Sequence, residues 1–122
     1  MKPVKTMLAT TILLLSLWFC KDDIISREDG LASYYSDFFH NQLTASGEKY
    51  DTSLYTAAHL ELPFGQEVRI IRKDNNKSVK VRINDRGPFY RKRIIDLSKA
   101  AAKELGMLDD GVIEVTLEIL AN

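Results

Sequence analysis

The side chains best suited to acid–base chemistry in this sequence are carboxyl groups and an imidazole that lie close to turns or strand ends. They are Glu48, Asp51, Asp85, Asp96 and His59. A positioned carboxyl group can protonate a leaving oxygen, and a second can act as base or nucleophile. In most glycosidases two such groups lie about 5–9.5 Å apart. The sequence therefore supplies candidates for general acid–base catalysis.

Each of these residues also has a structural interpretation. Asp85, in the run Asn-Asp-Arg-Gly-Pro, can shape a turn, and Glu48 can be a solvated loop charge. His59 can hydrogen-bond neighbouring backbone. Arg86 could stabilise the Asp85 anion, point at a substrate or lock the turn. Asp96 stands between two branched apolar residues, so we expect a buried carboxylate tied to backbone donors rather than a catalyst.

The residue inventory argues against other kinds of site. Two histidines and one cysteine give no metal-ligand spacing, so we expect neither a metal nor another cofactor. No Gly-x-Ser-x-Gly nucleophile elbow occurs. The 17 basic and 17 acidic residues balance, which gives no reason to expect nucleic-acid binding. With 122 residues the chain is long enough for one core only.

Strands must position these side chains, because period-two alternation dominates the second half of the sequence. It predicts strands at 67–72, 78–84 and 112–120, and shorter ones at 30–36 and 93–96. In the last strand Ile113, Val115, Leu117 and Ile119 form the inward face. Residues 74–77 form a hairpin turn, and 37–55 form a long loop. Ser98 is the N-cap of a helix at 99–105, which Gly106 ends. Many short strands predict a small closed barrel.

The first twenty residues have the pattern of an export signal. Lys2 and Lys5 precede an apolar run at 7–19, and charges follow at once. As a helix the run would reach about 20 Å, short of the roughly 30 Å hydrocarbon core. We therefore predict a signal peptide at 1–20, a short polar tether at 21–29 and the domain at 30–122. Cys20 follows Leu17 as in a lipoprotein box, although Trp18 and Phe19 are bulky for one. We expect Cys20 to be lipidated; the alternative is an uncleaved or differently cleaved leader.

Five segments, taken in order, resemble the rare lipoprotein A family. They are Gly30-Leu-Ala-Ser-Tyr-Tyr35, Thr44-Ala-Ser-Gly-Glu-Lys-Tyr-Asp51, Thr56-Ala-Ala-His59 with Leu62-Pro-Phe-Gly65, Val81-Arg-Ile-Asn-Asp-Arg-Gly-Pro-Phe89, and Arg93-Ile-Ile-Asp-Leu-Ser98. The resemblance covers nearly all of 30–120. It implies a mainly β fold, a six-stranded double-psi β-barrel with one or two short helices. Barwin, expansins and some endoglucanases share that fold.

The resemblance also implies an activity. Catalytic members of the family are lytic transglycosylases, which cut peptidoglycan glycan strands lacking stem peptides and leave 1,6-anhydro ends. We therefore expect an exported protein of the cell envelope, a monomer that acts on these strands and is held at a membrane through Cys20.

Asp85, Glu48 and His59 match the family's functional positions. We predict that Asp85 is the single general acid and base, with Glu48 and His59 positioning substrate or tuning its charge. An acid that is protonated near neutral pH needs a raised pKa, and Glu48 would supply a like charge if the loop folds over Asp85.

Substrate contacts are expected from Tyr35, Tyr50, Arg86 and Phe89, since aromatic ring faces stack on the apolar faces of sugars. Two alternatives remain open. The domain could be a non-catalytic, expansin-like glycan-binding barrel, or a hydrolase that uses Glu48 and Asp85 as a pair. Products separate the three: an anhydro end, no cut, or a reducing end.

The leader leads to a first prediction. Replacing Cys20 by serine removes the thiol that would carry the lipid. Cys20→Ser should therefore leave an unprocessed precursor and abolish fatty-acid labelling in growing cells. An unlabelled wild-type protein that is released in soluble form would contradict lipidation.

Overall fold

The computed structural model describes residues 22–121, and it confirms a mainly β fold with one short helix. The strands are β1 (Ile24–Tyr34), β2 (Thr56–Ala58), β3 (Glu67–Arg72), β4 (Ser78–Asp85), β5 (Arg93–Leu97) and β6 (Ile113–Leu120). Helix α1 is Lys99–Glu104, and a single 3₁₀ turn lies at Asp37–Phe39. The predicted signal peptide and the lipidation of Cys20 lie outside the described residues.

The six strands form a closed barrel in the order β1-β5-β2-β4-β3-β6, and β6 pairs back to β1. Two neighbouring pairs are parallel, β1 with β5 and β2 with β4. The other four pairs are antiparallel. Closure gives every strand two partners, so no strand of the barrel has a free edge.

Strands β3 and β4 form the predicted hairpin. Their alternating apolar residues face the core, and the chain reverses through residues 73–77. Asn76 adopts a left-handed conformation with φ of 59°, which asparagine tolerates better than most residues. The Arg72 N–H donates to the Lys77 carbonyl at 2.8 Å and closes the turn.

Helix α1 has the predicted N-cap and a cation at its other end. The Ser98 hydroxyl accepts from the Ala101 N–H at 3.3 Å. The Arg72 guanidinium donates to the carbonyls of Leu105 and Gly106 at 3.0 and 3.1 Å, satisfying groups that the helix end leaves free. No helix within residues 22–121 combines the length and apolarity needed to cross a bilayer.

Two local predictions differ from the structure. The tether predicted at 21–29 is wrong from Ile24 onward, where β1 pairs with β6 as far as Ala32. Most polar side chains of this half of β1 are exposed, so its pattern resembles that of a linker. Strand β2 was not predicted, because its three residues are all buried and show no alternation.

The inward face of β6 is confirmed. The side chains of Val115 and Leu117 are fully buried, and those of Ile113 and Ile119 are nearly so. They pack with the apolar faces of β3 and β4 and with the two buried alanines of α1. These contacts make β6 a principal part of the core.

This packing leads to a prediction on stability. Leu117→Ala should lower the free energy of unfolding by about 2–4 kcal/mol, because it leaves a cavity at the centre of the barrel. Glu114→Ala, on the exposed face of the same strand, is the control and should cost less than about 0.5 kcal/mol. Urea denaturation followed by circular dichroism measures both, and equal effects would contradict the assignment of faces.

Candidate active-site groove

Four residues on neighbouring strands form a row across one end of the barrel. Ser33 of β1 is in register with Asp96 of β5, and Asp96 is in register with Ala58 of β2. Ala58 is also in register with Asp85 of β4. Since adjacent strands lie about 4.8 Å apart, the backbones of Asp96 and Asp85 are about 10 Å apart, with only a methyl group between them. Both carboxyl groups can therefore face the same space.

This row forms the floor of a groove of about 420 Å³. Aromatic side chains and two arginines complete its walls: Tyr34, Tyr35, Phe39, Phe89, Tyr90, Arg86 and Arg93. A larger depression of about 570 Å³ surrounds Gly30, but no aromatic side chain lines it and its Lys73 pairs with Asp29 at 3.3 Å. The groove over the row brings two carboxyl groups together with several aromatic rings.

The carboxylate of Asp85 accepts hydrogen bonds from three donors. The Tyr35 hydroxyl donates to Oδ2 at 2.5 Å, and the backbone N–H groups of Ala45 and Arg86 donate to Oδ1 at 2.8 and 2.9 Å. Ala45 belongs to the long loop after β1, so this loop does fold over the Asp85 turn. Three donors around one carboxyl group suit its ionised form.

The carboxyl group of Asp96 has a different environment. Its one hydrogen bond from the described residues comes from the Ser33 hydroxyl at 3.1 Å, so the interpretation as a carboxylate held by backbone donors is wrong. Burial raises the pKa of Asp96 above its ordinary value of 3.8, and the charge of Asp85 raises it further. Ser33 and Arg93 oppose that shift. Asp96 was considered in the sequence analysis but assigned a structural role, although the alternation in β5 places it on the face opposite Ile95 and Leu97.

Tyr35 and Tyr50 form a buried pair beside Asp85. Their ring centroids are 4.5 Å apart, and the Tyr50 hydroxyl accepts from the Lys99 N–H at 3.0 Å. Burial, followed by the Asp85 carboxylate, raises the pKa of Tyr35, which keeps its hydroxyl a neutral donor. Tyr50 is 2% exposed, so the prediction that its ring stacks on a sugar is wrong. Tyr50 supports Tyr35, which reaches the groove.

Glu48 does not line the groove. Its two carboxylate oxygens accept from the Arg82 guanidinium at 2.6 and 2.8 Å, and this contact lowers the pKa of Glu48. The predicted position of Glu48 as a like charge over Asp85 is therefore wrong. The pair instead attaches the long loop to β4.

The imidazole of His59 forms its hydrogen bonds with residues other than the two aspartates. The N–H groups of Glu61 and Leu62 both donate to its Nδ1 at 3.1 Å, which places the ring proton on Nε2. Nε2 then donates to the Glu28 carboxylate of β1, also at 3.1 Å. The residue is 6% exposed and does not line the groove, so its position indicates a structural role.

Arg86 and Phe89, from which substrate contacts are predicted, both line the groove. The Arg86 guanidinium lies 4.1 Å from the centroid of the Phe64 ring and donates to the His59 carbonyl at 3.1 Å. The guanidinium does not pair with the Asp85 carboxylate; within Arg86, only the backbone N–H donates to that group. Phe89 is 82% exposed at the rim, where a ring face is available to a ligand.

Within residues 22–121 no three side chains of histidine, cysteine, aspartate or glutamate are grouped so as to hold a metal ion.

Comparison with solved structures supports the fold. The Streptomyces papain inhibitor SPI is 26% identical with a TM-score of 0.65, and the match covers 80% of this chain and 97% of that one. An expansin of Clavibacter michiganensis is 17% identical with a TM-score of 0.62, over 80% of this chain and 51% of that one.

Comparison of sequences reaches closer relatives. Proteins named endolytic peptidoglycan transglycosylase RlpA are 54% identical over 92 residues in Pseudomonas aeruginosa and 48% identical over 100 residues in Helicobacter pylori. The matches cover 75% and 82% of this chain but only 27% and 32% of the relatives. The family model described as lytic transglycolase matches residues 27–117. The resemblance to rare lipoprotein A is thus confirmed, and the chain belongs to the lytic transglycolase family.

Proposed function

We propose that this domain is an endolytic peptidoglycan transglycosylase, which cuts glycan strands and leaves 1,6-anhydromuramyl ends. The observation that carries the proposal is that two carboxyl groups share one groove but differ in hydrogen bonding. Asp85 accepts from several donors, whereas Asp96 accepts from Ser33 alone among the described residues. The names of relatives at about 50% identity support it. Since the chain spans about a third of those relatives or less, the activity of this domain is inferred from its groove.

In the proposed reaction Asp96 is the proton donor. Burial holds the pKa of Asp96 above its ordinary value, which suits a general acid. Asp96 protonates the glycosidic oxygen, and the bond from this oxygen to C1 of N-acetylmuramic acid breaks. The departing N-acetylglucosamine leaves with a free 4-hydroxyl group.

The Asp85 carboxylate then serves as the base. It accepts the proton of the muramic acid 6-hydroxyl while that oxygen bonds to C1 and closes the anhydro ring. One proton leaves Asp96 and one arrives at Asp85, so no water is consumed, and exchange with solvent restores both groups. This assignment replaces the single acid–base role predicted for Asp85, because its three donors suit a carboxylate that is charged before the reaction.

Glu48 and His59 are assigned positioning roles. Glu48 binds Arg82 and so holds the loop from which the Ala45 N–H reaches Asp85. His59 links Glu28 of β1 to the backbone of Glu61 and Leu62. Neither contact requires that the side chain touch substrate.

In the cell we place the domain in the envelope as a monomer, held at a membrane through a lipidated Cys20. The leader pattern and the location of peptidoglycan support this placement.

The proposed reaction predicts which products form and how substitutions change kcat. The purified domain should convert glycan strands without stem peptides into fragments with 1,6-anhydro ends, detected by mass spectrometry. Asp96→Asn and Asp85→Asn should each lower kcat at least about 100-fold, since each removes a proton-transfer group. Glu48→Gln should lower it less than about 10-fold, and Asp109→Asn, an exposed control, should not change it.

The other outcomes separate the alternatives. Reducing ends would indicate a hydrolase, and binding without any cut would indicate a glycan-binding barrel. Wild-type rates in Asp96→Asn would refute the assigned proton donor even if anhydro ends form.

The raised pKa of Asp96 also predicts how stability depends on pH. The unfolded chain loses this proton near pH 3.8, whereas the folded protein keeps it to a higher pH. Between these two values the folded state binds more protons, so the stability contributed by this group falls as pH rises. The resulting penalty is complete above the folded pKa and absent well below pH 3.8.

Asp96→Asn should therefore stabilise the protein at pH 7 while it removes activity. The amide oxygen can still accept from the Ser33 hydroxyl, and the expected gain is about 0.5–2 kcal/mol, usual for single stabilising substitutions. Urea denaturation at pH 7 and pH 3 measures it, with Asp109→Asn as control. A gain that is the same at both pH values would contradict the buried-charge explanation.

A further inference from the structure

The two groove arginines differ from most others in residues 22–121. Four arginines pair with carboxylates elsewhere on the barrel: Arg27, Arg69, Arg72 and Arg82. Arg86 and Arg93 form no ion pair with a described residue, although two aspartates line the same groove. The groove therefore contains guanidinium charge that the described part of the protein does not neutralise by direct contact.

Arg93 is the more available of the two. The Arg86 guanidinium already donates to a backbone carbonyl and lies against Phe64. The Arg93 guanidinium lies 4.8 Å from the centroid of the Tyr90 ring and donates no hydrogen bond to any residue of 22–121. The residue is half-buried at the start of β5, and its backbone N–H donates to the Tyr90 carbonyl at 3.2 Å. The N–H donors of the Arg93 guanidinium are thus held at the groove and are available to a ligand.

Arg93 is also close enough to Asp96 for its charge to act on that carboxyl group. A ligand group bound by Arg93 would therefore belong to a sugar next to the cleavage point. Guanidinium groups bind carboxylates through two parallel hydrogen bonds, so a carboxylate is the ligand that fits best.

Only one group on the sugars of a peptidoglycan glycan strand is an acid. It is the lactyl group on O3 of N-acetylmuramic acid, which ends in a free carboxylate when the stem peptide is absent. When the peptide is attached, the same carbon forms a neutral amide. The presence of a stem peptide thus changes the charge at this position as well as its size.

We propose that Arg93 binds the free lactyl carboxylate of the muramic acid beside Asp96 and thereby selects strands without stem peptides. This inference rests on the proposed substrate, a peptidoglycan glycan strand. On strands that carry amides the guanidinium loses its anionic partner, and a hydrogen bond between charged groups is replaced by a weaker one.

Chemical amidation tests this without changing the size of the substrate greatly. Stem-peptide-free glycans are compared with the same glycans whose lactyl carboxylates have been converted to methylamides. Wild-type kcat/KM should be about 10- to 100-fold higher on the free carboxylates, the range expected for one charge-assisted pair. Arg93→Gln should reduce that ratio to about one by lowering the rate on free carboxylates only. Arg93→Lys, which retains charge but not the fork, should give an intermediate ratio.

The ratio is the decisive quantity because Arg93 also acts on Asp96. A change in the proton donor or a partial loss of folding changes kcat/KM on both substrates by the same factor, which cancels in the ratio. Arg91→Gln, with the same charge change at an exposed position outside the groove, should keep the wild-type ratio. A wild-type ratio in Arg93→Gln would overturn the proposal.

Failure of the proposed function is distinguishable from failure of this inference. If the wild-type domain cuts neither glycan, affinities for the two glycans are measured by calorimetry with wild type and Arg93→Gln. A preference for free carboxylates that disappears in the variant supports the site, and no preference in wild type overturns it.

Discussion

The pairing of β1 with β6 closes the barrel, and the position of the groove depends on that closure. These antiparallel strands pair from Ile24 opposite Leu120 to Ala32 opposite Ile113, with one register shift between Ile24 and Ser26. The other edge of β1 pairs in parallel with β5, which sets Ser33 beside Asp96. Because β2 pairs with both β5 and β4, Asp85 lies two strands further on, with Ala58 between it and Asp96. Asp85 and Asp96, which are 11 positions apart in the chain, therefore lie on the same groove floor. No single segment of the chain forms that floor.

Unequal hydrogen bonding distinguishes the two carboxyl groups on that floor. Asp85 lies where a loop, a tyrosine and its own turn all direct donors at it. Asp96 lies in a strand whose backbone donors are used by the sheet, so only Ser33 reaches it. Ala58 between them leaves room for a substrate atom. The same fold thus favours the ionised form of Asp85 and the protonated form of Asp96.

Where the sequence predicted well, one periodic pattern decided the outcome. The alternation in β3, β4 and β6 reflects one buried and one outward face, and Ser98 marks the helix start by a local hydrogen bond. The site was harder because partners distant in sequence decide it. Glu48 and His59 matched a motif, but Arg82 and Glu28 hold their side chains outside the groove. Asp96 was misinterpreted because its apolar neighbours indicate only that one face of the strand is buried. They do not indicate which residues surround the other face.

The two ends of the described chain meet at one pole of the barrel. The Ala121 N–H donates to the Asp23 carbonyl at 2.8 Å, and β1 runs from this point to the groove. Eleven strand residues span about 30 Å, so the groove opens near the opposite pole. A tether attached at either end of the described chain would therefore leave the mouth of the groove unobstructed. A reporter domain or a crosslink could likewise be fused at that pole without covering the carboxyl groups.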